Sequence, residues 1–233
     1  MNALAGGGTF ATLPALIALG LPANIANASS NVALLPGAAA SAIEFRDELE
    51  PIGGIRASSL AAITFGGGIF GSALLVITPT RTFDFIIPWL LLFALLVMLF
   101  GRNASNRLHR QVTIGRRTLL VAQGLLAVYG GYFGGGVGLM TTATYGLLAG
   151  VHPRSLFSVR TLMLATANFA AAIVFIIMGL VRWPVCAPML VGAILGGWLG
   201  AKVGKQLPLG FVRAWTLPVT AVTTFIFFMR AFG

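Results

Sequence analysis

Apolar residues dominate the chain and fall into eight blocks separated by short polar segments. Several blocks run for about 20 residues, the length at which a helix crosses the roughly 30 Å hydrocarbon core of a bilayer. None alternates apolar and polar residues with the period of two that the strands of a membrane barrel require. The pattern predicts an all-α polytopic membrane protein, with blocks at residues 9–19, 22–45, 55–77, 83–100, 118–149, 153–180, 184–203 and 209–228.

The charge content supports the same class. Of 233 residues, 58% are hydrophobic and only 9% are charged, whereas a soluble domain usually carries about 25% charged residues. The net charge of +10 does not indicate nucleic-acid binding, because the arginines stand between apolar blocks, where the positive-inside rule places them. Five of them fall in the segment 102–117, which we expect to be a basic cytoplasmic loop: Arg102, Arg107, Arg110, Arg116 and Arg117.

The chain repeats itself at an offset of about 130 residues. The glycine triplet at 6–8 returns at 134–136, and Pro79 returns as Pro208. We therefore expect a first membrane repeat at 1–101, the basic loop at 102–117 and a second repeat at 118–233, two homologous halves of about four helices each. An even number of spans would place the acidic segment 44–50 on the same side as the basic loop.

The halves differ at their starts. An apolar stretch, 118–133, precedes the second glycine triplet, but only five residues precede the first. A helix of five residues is too short to cross a membrane. We expect the native gene to supply more residues before Met1; the alternative is a natural variant with one short helix.

Glycine runs predict that the helices are broken. Each glycine costs about 1 kcal/mol of helix propensity relative to alanine, and irregular backbone survives at membrane depth only where protein or a watery cavity surrounds it. Helix N-termini that follow such breaks can face an anion. Other glycines are better explained by close helix packing: Gly67, Gly71, Gly192, Gly196, Gly200 and Gly204.

Polar residues cluster within one apolar block of each half. Because polar groups inside a membrane are costly, we expect these two clusters to form two walls of one binding site with the glycine runs. The alternative is hydrogen bonding between helices. The candidate site residues are Gly6, Gly7, Gly8, Asn27, Ser29, Ser30, Asn31, Gly134, Gly135, Gly136, Arg160, Thr161 and Asn168.

These motifs resemble the sulfite exporter TauE/SafE family. The first repeat contributes the glycine triplet with Pro14 and the stretch 27–37, and the second contributes 134–138, 160–168, 181–183 and 196–201. The resemblance covers nearly the whole chain. It implies a permease that moves sulfite, organosulfonates or related small anions across the bacterial inner membrane.

Other functions remain as alternatives: an uptake permease for another small anion, or a structural membrane subunit that transports nothing. An intramembrane enzyme is less consistent with the sequence, since both histidines, His109 and His152, lie in or beside loops and no His-Glu-x-x-His motif occurs. We expect no cofactor and no metal. The expected partners are the lipid bilayer and a small anion, with no nucleic acid and a possible homo-oligomer.

Arg160 is expected to supply the main positive charge at the anion site, since a guanidinium donates to oxyanions in a planar fork. The alternative is that Arg160 extends to the lipid headgroups. Almost no carboxylate falls at membrane depth in the sequence, so a buried proton relay is not expected. Export driven by the membrane potential is therefore favoured over proton antiport.

Overall fold

The computed structural model describes residues 7–108, 115–149, 156–204 and 209–232. Within these ranges the chain is helical and forms no strand, which confirms the all-α prediction. A short 3-10 helix, Arg46–Glu48, is the other regular element. The α-helices are α1 (Thr9–Ala18), α2 (Ala23–Glu44), α3 (Ala57–Ile77), α4 (Thr80–Leu108), α5 (Arg116–Tyr132), α6 (Val137–Ala149), α7 (Phe157–Ile177), α8 (Trp183–Gly204) and α9 (Leu209–Phe232).

Four apolar segments of the described helices are long enough to cross a bilayer: Ala57–Ile77, Thr80–Phe100, Phe157–Ile177 and Ala214–Phe232. The apolar helices Thr9–Ala18 and Val137–Ala149 are shorter, about 15 and 20 Å long at 1.5 Å per residue. The chain is thus a multi-pass membrane protein that mixes full spans with partial helices.

Contacts between helix ends show the direction in which each helix crosses. The end of α2 lies beside the start of α7, where the rings of Phe45 and Phe157 are 4.5 Å apart. The start of α2 lies beside the start of α4, because Thr80 Oγ1 donates to Asn24 Oδ1 at 3.0 Å. α2 therefore runs antiparallel to α7 and parallel to α4.

The start of α4 also meets the end of α9, where Arg230 and Asp84 form an ion pair of 3.7 Å. One side of the protein is called the basic face here. Helices α2 and α4 end at this side, and α3, α5, α7 and α9 begin there. The other side is the opposite face. The acidic segment 44–50 and the end of α4 both lie at the basic face, because α3 and α4 form a hairpin between them.

Helices α5 and α6 form a hairpin that enters from the basic face and returns to it. Tyr145 OH in α6 donates to Gln123 Oε1 in α5 at 2.6 Å, and these two residues stand equally far from Gly134 in the sequence. Tyr145 also packs with Leu119, at the start of α5. The predicted block 118–149 is therefore two helices that reverse at the glycine triplet, rather than one interrupted span.

The two halves run in opposite directions and interlock. In α2, Ser29 Oγ accepts from Arg182 N at the start of α8 at 2.8 Å, so α2 packs on α8 of the other half. In the same way α7 packs on α3, where Thr64 Oγ1 donates to Met163 Sδ at 3.1 Å. An exchange of the halves maps one pair onto the other. The second half enters from the basic face, because α5 begins at the face where α4 ends.

Close glycine packing occurs where expected in α3 but not in α8. A Cβ on Gly71 would overlap Val128 O, and one on Gly67 would lie 2.5 Å from Ala127 Cβ. A Cβ on Gly192 or Gly196 would meet nothing within 4 Å, so the packing prediction is wrong for these two. Gly197 makes the close contact instead, since its Cβ would lie 2.5 Å from Gly37 Cα.

The expected basic loop is partly helical. α4 continues to Leu108, and α5 begins at Arg116, so residues 102–108, 116 and 117 are helical. Arg110 lies outside the described residues. The start of α7 is also later than expected, because the helix begins at Phe157 rather than at residue 153.

Candidate functional site

The turn between α5 and α6 interrupts the helical backbone at the glycine triplet. Gly134 and Gly136 have φ of 75° and 78°, a left-handed conformation that side chains with a Cβ rarely adopt. Tyr129 OH donates to Gly135 O at 2.8 Å. A Cβ on Gly136 would lie 3.4 Å from Ala94 Cβ, and Ala94 stands about 21 Å along α4. The glycine turn therefore lies deep between the two faces.

Two helix N-termini converge at this turn. α6 begins directly after Gly136, and α1 begins directly after Gly8, its N-cap residue. The ring of Phe10 joins them, since a Cβ on Gly136 would lie 2.8 Å from Phe10 Cζ and one on Gly7 3.1 Å from Phe10 Cδ2. The first N–H groups of a helix have no intrahelical partner and carry partial positive charge. The arrangement favours a negative charge at the centre of the protein.

Two asparagines of α2 lie against the glycine turn. Asn27 Nδ2 donates to Tyr132 O, the last carbonyl of α5, at 3.1 Å. A Cβ on Gly134 would lie 2.6 Å from Asn31 Nδ2, so the Asn31 amide rests directly on the turn. Both side chains are buried, at 0% and 2% exposure. The structure thus brings together Asn27, Asn31 and the second glycine triplet.

The serines between these asparagines are buried and hold other elements to α2. Ser29 Oγ accepts from Arg182 N, and the Ser29 carbonyl lies 3.6 Å from Cys186 Sγ. Ser30 Oγ shares a hydrogen bond of 2.5 Å with Thr12 Oγ1 of α1. In the described structure these hydroxyls connect helices, which is the alternative interpretation of the polar clusters. Gly6 lies outside the described residues.

Two candidate residues of α7, Arg160 and Thr161, occupy a different place. Arg160 is the fourth residue of α7, it is buried, and its guanidinium carbon lies 4.1 Å above the Phe157 ring. Thr161 Oγ1 donates to Ser158 O at 2.8 Å, and Ser158 Oγ donates to Glu48 O in the acidic segment at 2.9 Å. The first turn of α7 therefore packs beside the acidic segment at the basic face.

Helix register gives the separation of Arg160 from the glycine turn. α2 and α7 are antiparallel, with Phe45 on Phe157 and Ala38 packed with Leu164. Arg160 is therefore level with Ala42, three turns from Asn31, or about 16 Å along α2. The structure does not bring Arg160 and Thr161 to Asn31. Asn168 lies buried in the middle of α7, between these two levels.

A buried polar network holds the α5–α6 hairpin in place, and the sequence analysis missed it. Gln123 Nε2 donates to Thr64 Oγ1 of α3 at 2.5 Å, and Gln123 Oε1 accepts from Tyr145. All three residues are at most 1% exposed. A glutamine within an apolar block is a signal that could have identified it. The sequence gives no such signal for Phe10, because aromatic residues are common in apolar membrane segments.

Helices that run in opposite directions in the two halves, a glycine-broken hairpin and converging helix N-termini recur in membrane transporters. The sulfite exporter TauE/SafE family model matches residues 1–226, and the chain belongs to this family. No solved structure matches. Within the residues the structure describes, no group of three or more His, Cys, Asp or Glu side chains could hold a metal ion.

Curated relatives carry names of the same class. A probable membrane transporter protein of Haemophilus influenzae is 29% identical over 218 residues, covering 89% of this chain and 82% of the relative. Probable membrane transporter protein YfcA of Escherichia coli K12 is 27% identical over 224 residues, covering 95% and 82%. Probable membrane transporter protein ORF9 of a Sinorhizobium species is 27% identical over 210 residues, covering 88% and 77%. The names specify transport without a substrate.

Proposed function

We infer that this transporter exports a small oxyanion, such as sulfite or an organosulfonate, across the bacterial inner membrane. The observation that carries this proposal is the Asn31 amide at the glycine turn. Its Oδ1 and Nδ2 are buried, and neither has a hydrogen-bond partner in the described structure. A buried polar atom without a partner costs about 1–3 kcal/mol. An anion bound between Asn31 and the helix N-termini would supply hydrogen-bond acceptors where the local charge is positive.

The charge distribution supports an orientation with the basic face in the cytoplasm. Among described residues only three basic ones lie at the opposite face, Arg81, Arg182 and Arg230, while nine lie at or near the basic face. Lys and Arg accumulate on the cytoplasmic side of inner-membrane proteins. The nine are Arg46, Arg56, Arg102, Arg107, Arg116, Arg117, Arg160, Lys202 and Arg213.

The driving force supports export as the proposed direction of transport. No Asp or Glu is among the buried polar residues of the described chain, so the structure offers no carboxylate relay for a proton at membrane depth. An anion leaving a cell with a negative interior gains about 2.3 kcal/mol per charge per 100 mV. This favours export driven by the membrane potential. Uptake is the second candidate, and it would need a coupling ion.

The basic residues of the basic face, with Arg160 among them, are proposed to attract the anion on the cytoplasmic side. Arg160 lies near the basic face, about 16 Å from Asn31 along α2, which is too far for a contact with the same small ion. A positive charge beside an entrance raises the local concentration of anions and their rate of arrival. This role replaces the expected one, in which Arg160 holds the anion at the central site.

Flux of radiolabelled sulfite from proteoliposomes with an inside-negative potential tests the proposal. Wild-type protein should release sulfite, and Asn31→Leu should reduce release to the level of protein-free vesicles. Asn24→Leu is the matched control, because Asn24 lies on the same helix but accepts from Thr80 and from Ile25 N. It should keep most of the flux. Release that is absent from the wild type, or unchanged in Asn31→Leu, would contradict the proposal.

A further inference from the structure

The asparagines at the glycine turn present more than donors for an anion. Asn27 donates its Nδ2 to Tyr132 O, which fixes the orientation of the amide, so its unpaired atom is the acceptor Oδ1. Asn31 leaves both Nδ2 and Oδ1 unpaired within the described structure. A flip of this amide would exchange the two atoms, but the side chain would still offer one unpaired donor group and one unpaired acceptor. The site therefore shows one unpaired amide donor group and two unpaired acceptors.

A fully deprotonated oxyanion has only acceptor oxygens. Such an ion would satisfy the Asn31 donor and the helix N–H groups, but it would leave both amide oxygens buried without a hydrogen. Sites with buried acceptors discriminate strongly against ligands that lack the matching O–H or N–H group. The pairing pattern thus requires a ligand with anionic oxygens on one side and a hydrogen-bond donor on the other.

We propose that the substrate is an oxyanion with a donor group of its own: singly protonated sulfite, or a sulfonate with a hydroxyl or amino group. This proposal rests on the proposed function and specifies the substrate class of that site. The anionic oxygens face the N-termini of α1 and α6. The O–H or N–H group donates to Asn27 Oδ1 or Asn31 Oδ1. Sulfonates without a donor bind weakly.

Isethionate and 1-propanesulfonate form a matched pair for the test. The two anions have the same charge and the same number of non-hydrogen atoms, and they differ by a terminal hydroxyl in place of a methyl group. The measurement is the concentration of each that halves the counterflow of radiolabelled sulfite in proteoliposomes containing the wild-type protein. The half-inhibitory concentration of isethionate should be lower than that of 1-propanesulfonate, by up to about tenfold. This is the ratio expected for one buried hydrogen bond. Asn24→Leu should keep this ratio.

The pH dependence of sulfite counterflow is an independent measurement. Because the protonated anion is the transported species in this proposal, flux at fixed total sulfite should fall as the pH on both sides rises through neutrality. Equal potency of the two sulfonates would overturn the donor requirement while sulfite counterflow still supports transport. The absence of sulfite counterflow in the wild type would instead overturn the proposed function, and this proposal with it.

Discussion

The polar clusters of α2 and α7 correspond in the two repeats but have different surroundings. In α2 the cluster lies against the glycine turn, and Asn31 keeps two unpaired amide atoms within the described structure. In α7, Arg160 and Thr161 lie beside the acidic segment, where Arg160 stacks on Phe157 and Thr161 donates to a backbone carbonyl. Arg160 and Thr161 therefore do not lie opposite Asn31 across one site.

The inversion of the halves explains this difference. Residues that correspond in an inverted repeat lie at equal distances from the middle of the membrane, but on opposite sides of it. Asn31 corresponds to Thr161 at the offset of the repeats, and the two are separated by about 15 Å along the helices. We infer a division of labour, in which the α2 cluster binds the anion and the α7 cluster receives it from the cytoplasm.

Gly134→Ala should produce the largest effect. The alanine would take a left-handed φ of 75°, and its Cβ would lie 2.6 Å from Asn31 Nδ2. A displacement of about 1 Å at a site can cost about 100-fold in rate, and we expect a loss of sulfite flux of this size.

Gly20→Ala is the control for Gly134→Ala. Gly20 has a similar φ of 86°, and a Cβ there would meet nothing within 4 Å. The backbone strain is therefore comparable, but no contact with the site changes. Equal loss of flux in the two variants, at equal protein levels, would show that strain alone is responsible and that the glycine turn has no special role.

Arg160→Gln should have an intermediate effect. If Arg160 attracts the anion at the entrance, its removal should raise the KM for sulfite several-fold at low salt and leave the maximal flux nearly unchanged. Arg160→Lys should keep a KM closer to that of the wild type. The measurement is the concentration dependence of flux at two ionic strengths. Loss of maximal flux in Arg160→Gln, with insertion intact, would restore Arg160 to the central site.

Thr161→Val should have the smallest effect, although Thr161 corresponds to Asn31. Its hydroxyl donates to Ser158 O within its own helix, and such local bonds contribute little to helix stability. We expect flux close to that of the wild type and a loss of stability below about 1 kcal/mol. A loss of flux as large as that of Asn31→Leu would mean that both clusters bind the anion.

The fold was predictable where long apolar runs determine it. The blocks at 22–45, 55–77 and 209–228 lie within about two residues of the ends of α2, α3 and α9, except at the C-terminus of α9. The reversal at the glycine triplet was not predictable, because a hairpin of two apolar helices and one interrupted span share the same composition. For the same reason, the sequence pattern does not show whether the two halves run in the same or in opposite directions.

The candidate site was predictable in its residue types rather than in its geometry. Glycine spacing identifies one face of a helix, but it does not indicate whether that face meets a neighbour. The spacing therefore predicts close packing at Gly192, whereas Gly197 makes the contact. The position of Arg160 along α7 depends on where the helix starts. The helix starts at Phe157 rather than at residue 153, so Arg160 lies closer to the basic face than expected. The unpaired state of Asn31 depends on its neighbours in three dimensions, and no sequence pattern reports it.

An experimental structure with selenite tests the central claim most directly. Selenite resembles sulfite in charge and shape, and the anomalous scattering of selenium locates it without reference to the protein. The account predicts a selenium peak beside the Asn31 amide and the first turn of α6, and no such peak in Asn31→Leu. A peak beside Arg160 and none beside Asn31 would contradict the account.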